Sequence, residues 1–562
     1  MLYRDIQYQF GPLAPYWHAA LFRLFGLHLD ILYICGLLVA LGIALAGFGI
    51  ARKLMSPLNA WLAAVAVLAV FAFRPTLFNF VFPYSFSASY GLLWLVWSLW
   101  LGLERLSSGP PAEWQLWALG TLCGLGLLTK QEYGLAEILL CLMLLAAPGF
   151  DRRCVGRRRA WLAVCLPAIS LPLAVYGGFL LSIGWRQLAN ANLTPWYLLR
   201  NQHVFYERLE MFHPHRAWGI YWWRLRQWWL PSLAWIAGLS WGLSWLEART
   251  RRPIARPVML LCLWLFPVWL WQRQLAGMLS WKTFDFYFWP FNLAALGGLL
   301  AWRLRRPWTE KERMLIVIFA VGMLLLARTP GNPNLAGYAN LLYLPSALGW
   351  IYLLWEVLPR ALTRGGLAGR ERRRQTAALA MSVLLGLTLA GYIRVDLQAA
   401  GRKPFRVRGA AGEIRASTAR GQVWQQTLAF LQHHPSPTLV AIPESAFFYV
   451  LANRVTPLPY DHLIPGYISG PRHERQALAM LRLARPRQIV IVQRDFPEYF
   501  PNGQRITSFG HAYDQPVLAW ILKHYKLARQ YETNHFYWSR VYCIKPGYAP
   551  GKTVYLARLP WS

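Results

Sequence analysis

A lysine and a glutamate two residues apart stand inside a long apolar stretch of this chain. Leu127-Leu128-Thr129-Lys130-Gln131-Glu132-Tyr133-Gly134 interrupts the run from Trp114 to Pro148. A fixed cation can hold a phosphate, and a carboxylate can orient a reactant or take the proton of a hydroxyl. The flanking run is about twice the length that crosses a bilayer once, so it reads as two spanning helices meeting at a tight turn. Charges at such an apex are costly unless they face water, a pocket or each other. A solvated turn at the membrane surface and a pair facing a pocket both fit this stretch taken alone.

The elements that position the pair follow from composition. The chain has 562 residues, 56% of them hydrophobic, with 31 Trp, which defines a polytopic α-helical membrane protein and excludes a large soluble one. Apolar runs fall near 29–51, 58–73, 86–104, 114–129, 131–148, 160–183, 229–249, 258–272, 288–302, 314–328, 338–358 and 376–396, about 12 spans. The runs 258–272 and 288–302 are short for a full crossing. One set of connecting loops is rich in Arg and Lys: Arg52 and Lys53; Arg105; Arg152 to Arg159; Arg249 to Arg256; Arg303 to Arg313; Arg360 to Arg374. That set is cytoplasmic by the positive-inside rule. The net charge of +34 is therefore mostly a topology signal with contact to anionic membrane lipids, and no nucleic-acid surface is implied. Five of the seven cysteines lie in apolar runs, and no CxxC or Cys/His metal spacing occurs, so neither a disulfide framework nor a metal is expected. No cleavable signal peptide opens the chain.

This orientation places residues 1–28, 74–85, the Lys130 turn, 184–228, 273–287, 328–337 and the tail after 396 on the extracytoplasmic side. The loop 184–228 carries Trp185, Trp196, Tyr197, Trp218 and Trp222, as interfacial helices do, and also Arg200, His203 and Glu207. The outer face thus collects the cations Arg74, Lys130, Arg200, Arg273, Lys282 and Arg328 and the acids Asp5, Glu132, Glu207 and Asp285.

The division expected is a membrane domain over 1–396 and a small extracytoplasmic α/β domain over 397–562. In the tail, Val423–His433, Ala477–Leu483 and Pro516–Tyr525 read as helices, and Thr438–Pro443, Gln488–Gln493, Phe536–Ile544 and Thr553–Ala557 as strands. No GxGxxG or Walker sequence follows a strand, so no nucleotide site is expected there. The turn Asp495-Phe496-Pro497-Glu498-Tyr499 reads as loop capping.

The start of the chain, Tyr3-Arg4-Asp5-Ile6-Gln7-Tyr8-Gln9-Phe10-Gly11-Pro12-Leu13 followed by Leu21-Phe22-Arg23-Leu24-Phe25-Gly26, resembles the first outer loop of the GT-C membrane glycosyltransferases. This superfamily includes the protein O-mannosyltransferases and the lipid A aminoarabinose transferase. The Lys130 stretch, Phe82-Pro83-Tyr84-Ser85 and Arg328-Thr329-Pro330-Gly331-Asn332-Pro333-Asn334 are similar to further parts of it, in the same order. The resemblance implies transfer of a hexose or pentose from a polyprenyl-phosphate donor to a lipid, glycan or protein acceptor outside the cytoplasm. It implies no metal or cofactor, and the implied seat is a bacterial inner membrane.

On that reading Lys130, Arg74, Arg200 and Arg328 bind the donor phosphate, and Asp5 and Glu132 are the catalytic carboxylates. Tyr8, Tyr84, His203 and Asp285 complete the pocket. Asp5 is the acid of the first outer loop but not at the family's catalytic position, and a helix cap accounts for it equally. His203 also reads as a solvated loop residue. Two other classes fit the charges less fully. A secondary transporter or flippase of a lipid-linked envelope precursor would place ionisable groups in the membrane but needs no large outer domain. An envelope-assembly scaffold would explain the tail but not the outer cations. Twelve spans also leave both termini outside, whereas the resembled family has thirteen. The expectation is a chain lacking the family's first helix and, with it, the principal base.

Overall fold

The computed structural model describes residues 1–6, 8, 10–72, 79–83, 85–108, 112–146, 157–192, 289–303, 309–328, 341–357, 393–458, 471–493, 509–510, 514–533 and 537–551, with single positions at 218, 219, 222, 226, 249 and 390. These residues are mostly helical with a small sheet region. Among the described residues three helices are long and apolar enough to cross a membrane, within Leu29–Leu54, Phe86–Leu106 and Arg158–Ile183. The expected runs 229–249 and 258–272 and most of 376–396 lie outside the described residues.

The helices in order are α1 (Leu13–Phe25), α2 (Leu29–Leu54), α3 (Pro57–Ala66), α4 (Phe86–Ser108), α5 (Glu113–Thr129), α6 (Gln131–Ala146), α7 (Arg157–Ile183) and α8 (Trp185–Asn192). After an interval come α9 (Trp289–Arg303), α10 (Glu310–Leu325) and α11 (Leu344–Tyr352). Local chemistry sets several ends. His28 Nδ1 accepts the Asp30 amide at the start of α2, Asp30 lies in its first turn and Arg52 and Lys53 in its last, matching the helix dipole. Pro57 is the first residue of α3 and Pro345 the second of α11, both within the first turn, where a missing N–H costs nothing. Thr309 and Glu312 form a capping box on α10. The expected span 58–73 is α-helical only to Ala66 and widens to a π-helix over Val67–Ala72. In the expected span 338–358, α11 begins at Leu344 and gives way to a π-helix at Leu353–Val357.

One apolar core joins α2, α3, α4, α6, α10 and α11, with Ile43, Ile50, Leu92, Leu99, Leu140, Phe319 and Leu348 all buried. Opposite ends of this bundle differ in chemistry. Where α2 and α4 finish, Lys53 pairs with Glu104 at 2.6 Å and Lys311 Nζ donates to Leu54 O at 2.7 Å. There too the buried Glu356 carboxylate accepts from Ser56 N and Asn59 Nδ2 at 2.9 Å each. Where they start, Tyr33 stacks on Phe82 with centroids 4.6 Å apart, and Leu29 N donates to Ala411 O in the tail at 2.9 Å. The tail therefore meets the end of the bundle at which α2 begins.

In the tail, β1 (Phe405–Gly409) and β2 (Gly412–Ala416) form an antiparallel hairpin. A four-stranded mixed sheet has the order β3-β4-β6-β5 from β3 (Leu439–Ile442), β4 (Gln488–Val492), β5 (Tyr525–Thr533) and β6 (Tyr537–Ile544). Helix Thr418–His433 packs on one face of the sheet, and Pro471–Ala484 and Gln515–His524 pack on the other. The strands 438–443 and 488–493 and the helices 423–433 and 477–483 appear where the sequence puts them. Tyr525, expected to end a helix, instead opens β5. The segments 553–557 and 495–499 lie outside the described residues.

Candidate functional site

The apolar run 114–148 does not continue as one helix because Lys130 leaves the helical region. Its backbone is extended (φ −155°, ψ 132°), although its N–H still reaches Gly126 O at 3.1 Å. Thr129 Oγ1 donates to the same carbonyl at 2.7 Å. The Lys130 carbonyl then accepts from Tyr133 N and Gly134 N, which starts α6. Only 2% of the lysine is exposed. Its Nζ lies 2.8 Å from Glu132 Oε1 and 4.9 Å from the centre of the Phe10 ring. A buried ammonium is tolerated when a carboxylate and an aromatic face replace its water, as here.

Phe10 belongs to a lid over this turn, together with Tyr3, Tyr8 and Gly11. Gly11 N donates to Thr129 O at 2.9 Å. A Cβ at Gly11 would overlap the Leu128 carbonyl, so only glycine allows this approach. Tyr8 OH lies 2.6 Å from Ser87 Oγ at the start of α4. Tyr3 is fully buried, with φ of +62°. Its hydroxyl donates to Phe10 O at 2.6 Å, its ring meets Phe179 edge-on at 5.0 Å, and its carbonyl accepts from Gln187 Nε2 at 2.8 Å. Burial pushes the Tyr3 hydroxyl well above its usual range. The segment is thus fastened to α4, α5, α7 and α8 together.

Tyr133 and His18 are held by further contacts on the neighbouring elements. Tyr133, fully buried beside the pair, donates its hydroxyl to Leu341 O at 2.6 Å. On α1, His18 Nε2 lies 3.0 Å from Tyr90 OH and its ring meets Phe86 edge-on at 4.6 Å. Burial pushes His18 down to about 4.

The sequence-derived residues fare differently. Lys130 and Glu132 are brought together, and Tyr8 lies in the lid over their turn. Asp5 takes Arg4 Nε at 2.7 Å and Nη2 at 2.9 Å, together with the Met1 ammonium. The Arg4 guanidinium foremost holds its carboxyl below the usual range, and a carboxylate so stabilised is a weaker proton acceptor. The Arg328 backbone ends the short turn Leu326–Arg328, and its side chain is outside the described set. Arg74, Tyr84, Arg200, His203 and Asp285 also lie outside the described residues. Among the described residues no group of three or more His, Cys, Asp or Glu could hold a metal ion.

Sequence reasoning passed over Phe10, Ser87, Tyr133 and Glu137. Glu137 had a visible signal, an acid in the middle of the apolar run of α6. Chemically, the turn offers a buried cation already held by a carboxylate 2.8 Å away.

No known family profile matches the sequence, and no curated protein matches it. Among solved structures, the crystal structure of the Archaeoglobus fulgidus oligosaccharyltransferase with Zn and sulfate superposes at a TM-score of 0.41 with 14% identity, covering 87% of this chain and 60% of that one. The archaeal oligosaccharyltransferase AglB from Archaeoglobus fulgidus, with an inhibitory peptide and a dolichol-phosphate, gives 0.40 with 12% identity, covering 98% and 68%. The chain thus spans 60% of the length of the first of these structures. A superposition this loose decides nothing about chemistry.

Proposed function

We propose that the chain is a membrane glycosyltransferase of the GT-C kind that moves a sugar from a polyprenyl-phosphate donor to an acceptor on the extracytoplasmic face. The observation that supports this most is the Lys130 turn. A lysine with 2% exposure is held at a helix break by Glu132 under a lid whose sequence resembles that family's first outer loop. The leaving group in such a transfer is a lipid phosphate, and a pre-positioned cation would stabilise the charge it gains as the glycosidic bond breaks. Phosphate entry would take Lys130 from Glu132 and leave that carboxylate to orient the acceptor hydroxyl. Arg74, Arg200 and Arg328 are proposed as further donor contacts, and a bacterial inner membrane with the tail outside as the setting.

The test is an assay on membranes containing the chain, given polyprenyl-phosphate sugars labelled in the sugar. A transferase releases polyprenyl phosphate and leaves label on a new acceptor. A flippase or transporter moves the intact donor across without cleaving it, and a scaffold does neither. Label that remains on the polyprenyl carrier with every donor offered rejects the reading.

A further inference from the structure

Glu137 lies on α6 and is fully buried. Ser98 of α4, itself fully buried, lies beside it. Across the α5–α6 hairpin the carboxyl rests on Gly126. A Cβ built at Gly126 would overlap it, and the three atoms nearest that position all belong to Glu137. Gly126 is also the residue whose carbonyl takes both the Lys130 N–H and the Thr129 hydroxyl. The acid buried in the bundle and the cation at its rim therefore share one backbone unit, and Glu137 fills the volume that a side chain at Gly126 would occupy.

We propose that Glu137 is a positioning residue for the Lys130 turn: by packing on Gly126 it fixes the carbonyl that ends α5 and so holds Lys130 in its buried place. The role is one of shape. A side chain of the same outline keeps the turn closed, and a shortened one lets the last turn of α5 move and opens the lysine to water. The inference deepens the reading above, and rests on it only for the consequence in turnover.

The experiment uses the full chain in lipid nanodiscs and an amine-acylating reagent, with modification at each lysine followed by peptide mass spectrometry. In the wild type Lys130 is protected. Glu137→Ala, and separately Gly126→Ala, should raise its labelling rate at least about fivefold through local opening. Glu137→Gln should stay protected. The double variant Gly126→Ala with Glu137→Ala should return towards wild type, because the new methyl refills the space. Lys311, held to Leu54 O at the far end of the bundle, reports general unfolding. If Glu137→Ala exposes Lys311 as well, the double variant decides: restored protection at Lys130 supports the proposal, and persisting reactivity overturns it. Protection of Lys130 in Glu137→Ala, or a Glu137→Gln variant as reactive as Glu137→Ala, also overturns it. None of these readouts needs glycosyl transfer, so an inactive chain would reject the functional reading and leave this one standing or falling on labelling.

Discussion

Lys130 Nζ and Glu132 Oε1 are 2.8 Å apart although the residues stand on either side of a helix break. In an unbroken helix, positions two apart point to different sides and do not meet. The extended backbone at Lys130 turns its side chain back across the start of α6, so the break itself makes the pair. Lys130→Ala should lower turnover by at least about tenfold if the lysine stabilises a developing phosphate charge. Expression and thermal stability should stay near wild type. Lys130→Arg should not fully restore it, because the planar guanidinium has another shape and hydration. Initial rates with a polyprenyl-phosphate sugar check this, and full activity in Lys130→Ala would reduce the turn to a structural feature.

Tyr133→Phe keeps the ring that packs beside Gly91 and removes the donor to Leu341 O. A buried carbonyl left without its donor costs about 1–3 kcal/mol. The expected result is a lower melting temperature together with reduced turnover, since the residue adjoins Glu132. Thermal unfolding unchanged from wild type would remove Tyr133 from the account.

His18 should make the docking of α1 depend on pH. Its pKa falls from 6.5 to about 4 on burial, so the unfolded or undocked chain binds the proton more readily than the docked one. Its contribution is fully present above pH 6.5 and declines as pH falls towards 4. Unfolding followed by Trp fluorescence should show stability dropping over that window. His18→Asn should flatten the part of the slope due to this residue. An unchanged slope in that variant would show that the ring is not the group being titrated.

Helices α2 and α4 to α7 were legible in the sequence because long apolar runs bounded by Arg and Lys admit few other readings. The break at Lys130 was legible for the same reason, as charge where charge is costly. Glu137 stood out as an acid among the leucines of α6, but its role was not legible, since that depends on Gly126 across the hairpin. Tyr133 and Leu341 are 208 positions apart, a contact that periodicity does not carry. The β1–β2 hairpin was missed because Arg406, Arg408, Glu413 and Arg415 alternate with its few apolar residues. Strand β5 was missed because an edge strand keeps most of its side chains in water. The positive φ of Tyr3 left no mark in composition at all.

The most direct measurement is a map of the chain with polyprenyl phosphate bound. The account places a phosphate oxygen at hydrogen-bond distance, about 3 Å, from Lys130 Nζ, with Glu132 displaced from the lysine and the lipid tail running out to the bilayer. A bound phosphate elsewhere, with Lys130 still closed on Glu132, would contradict it.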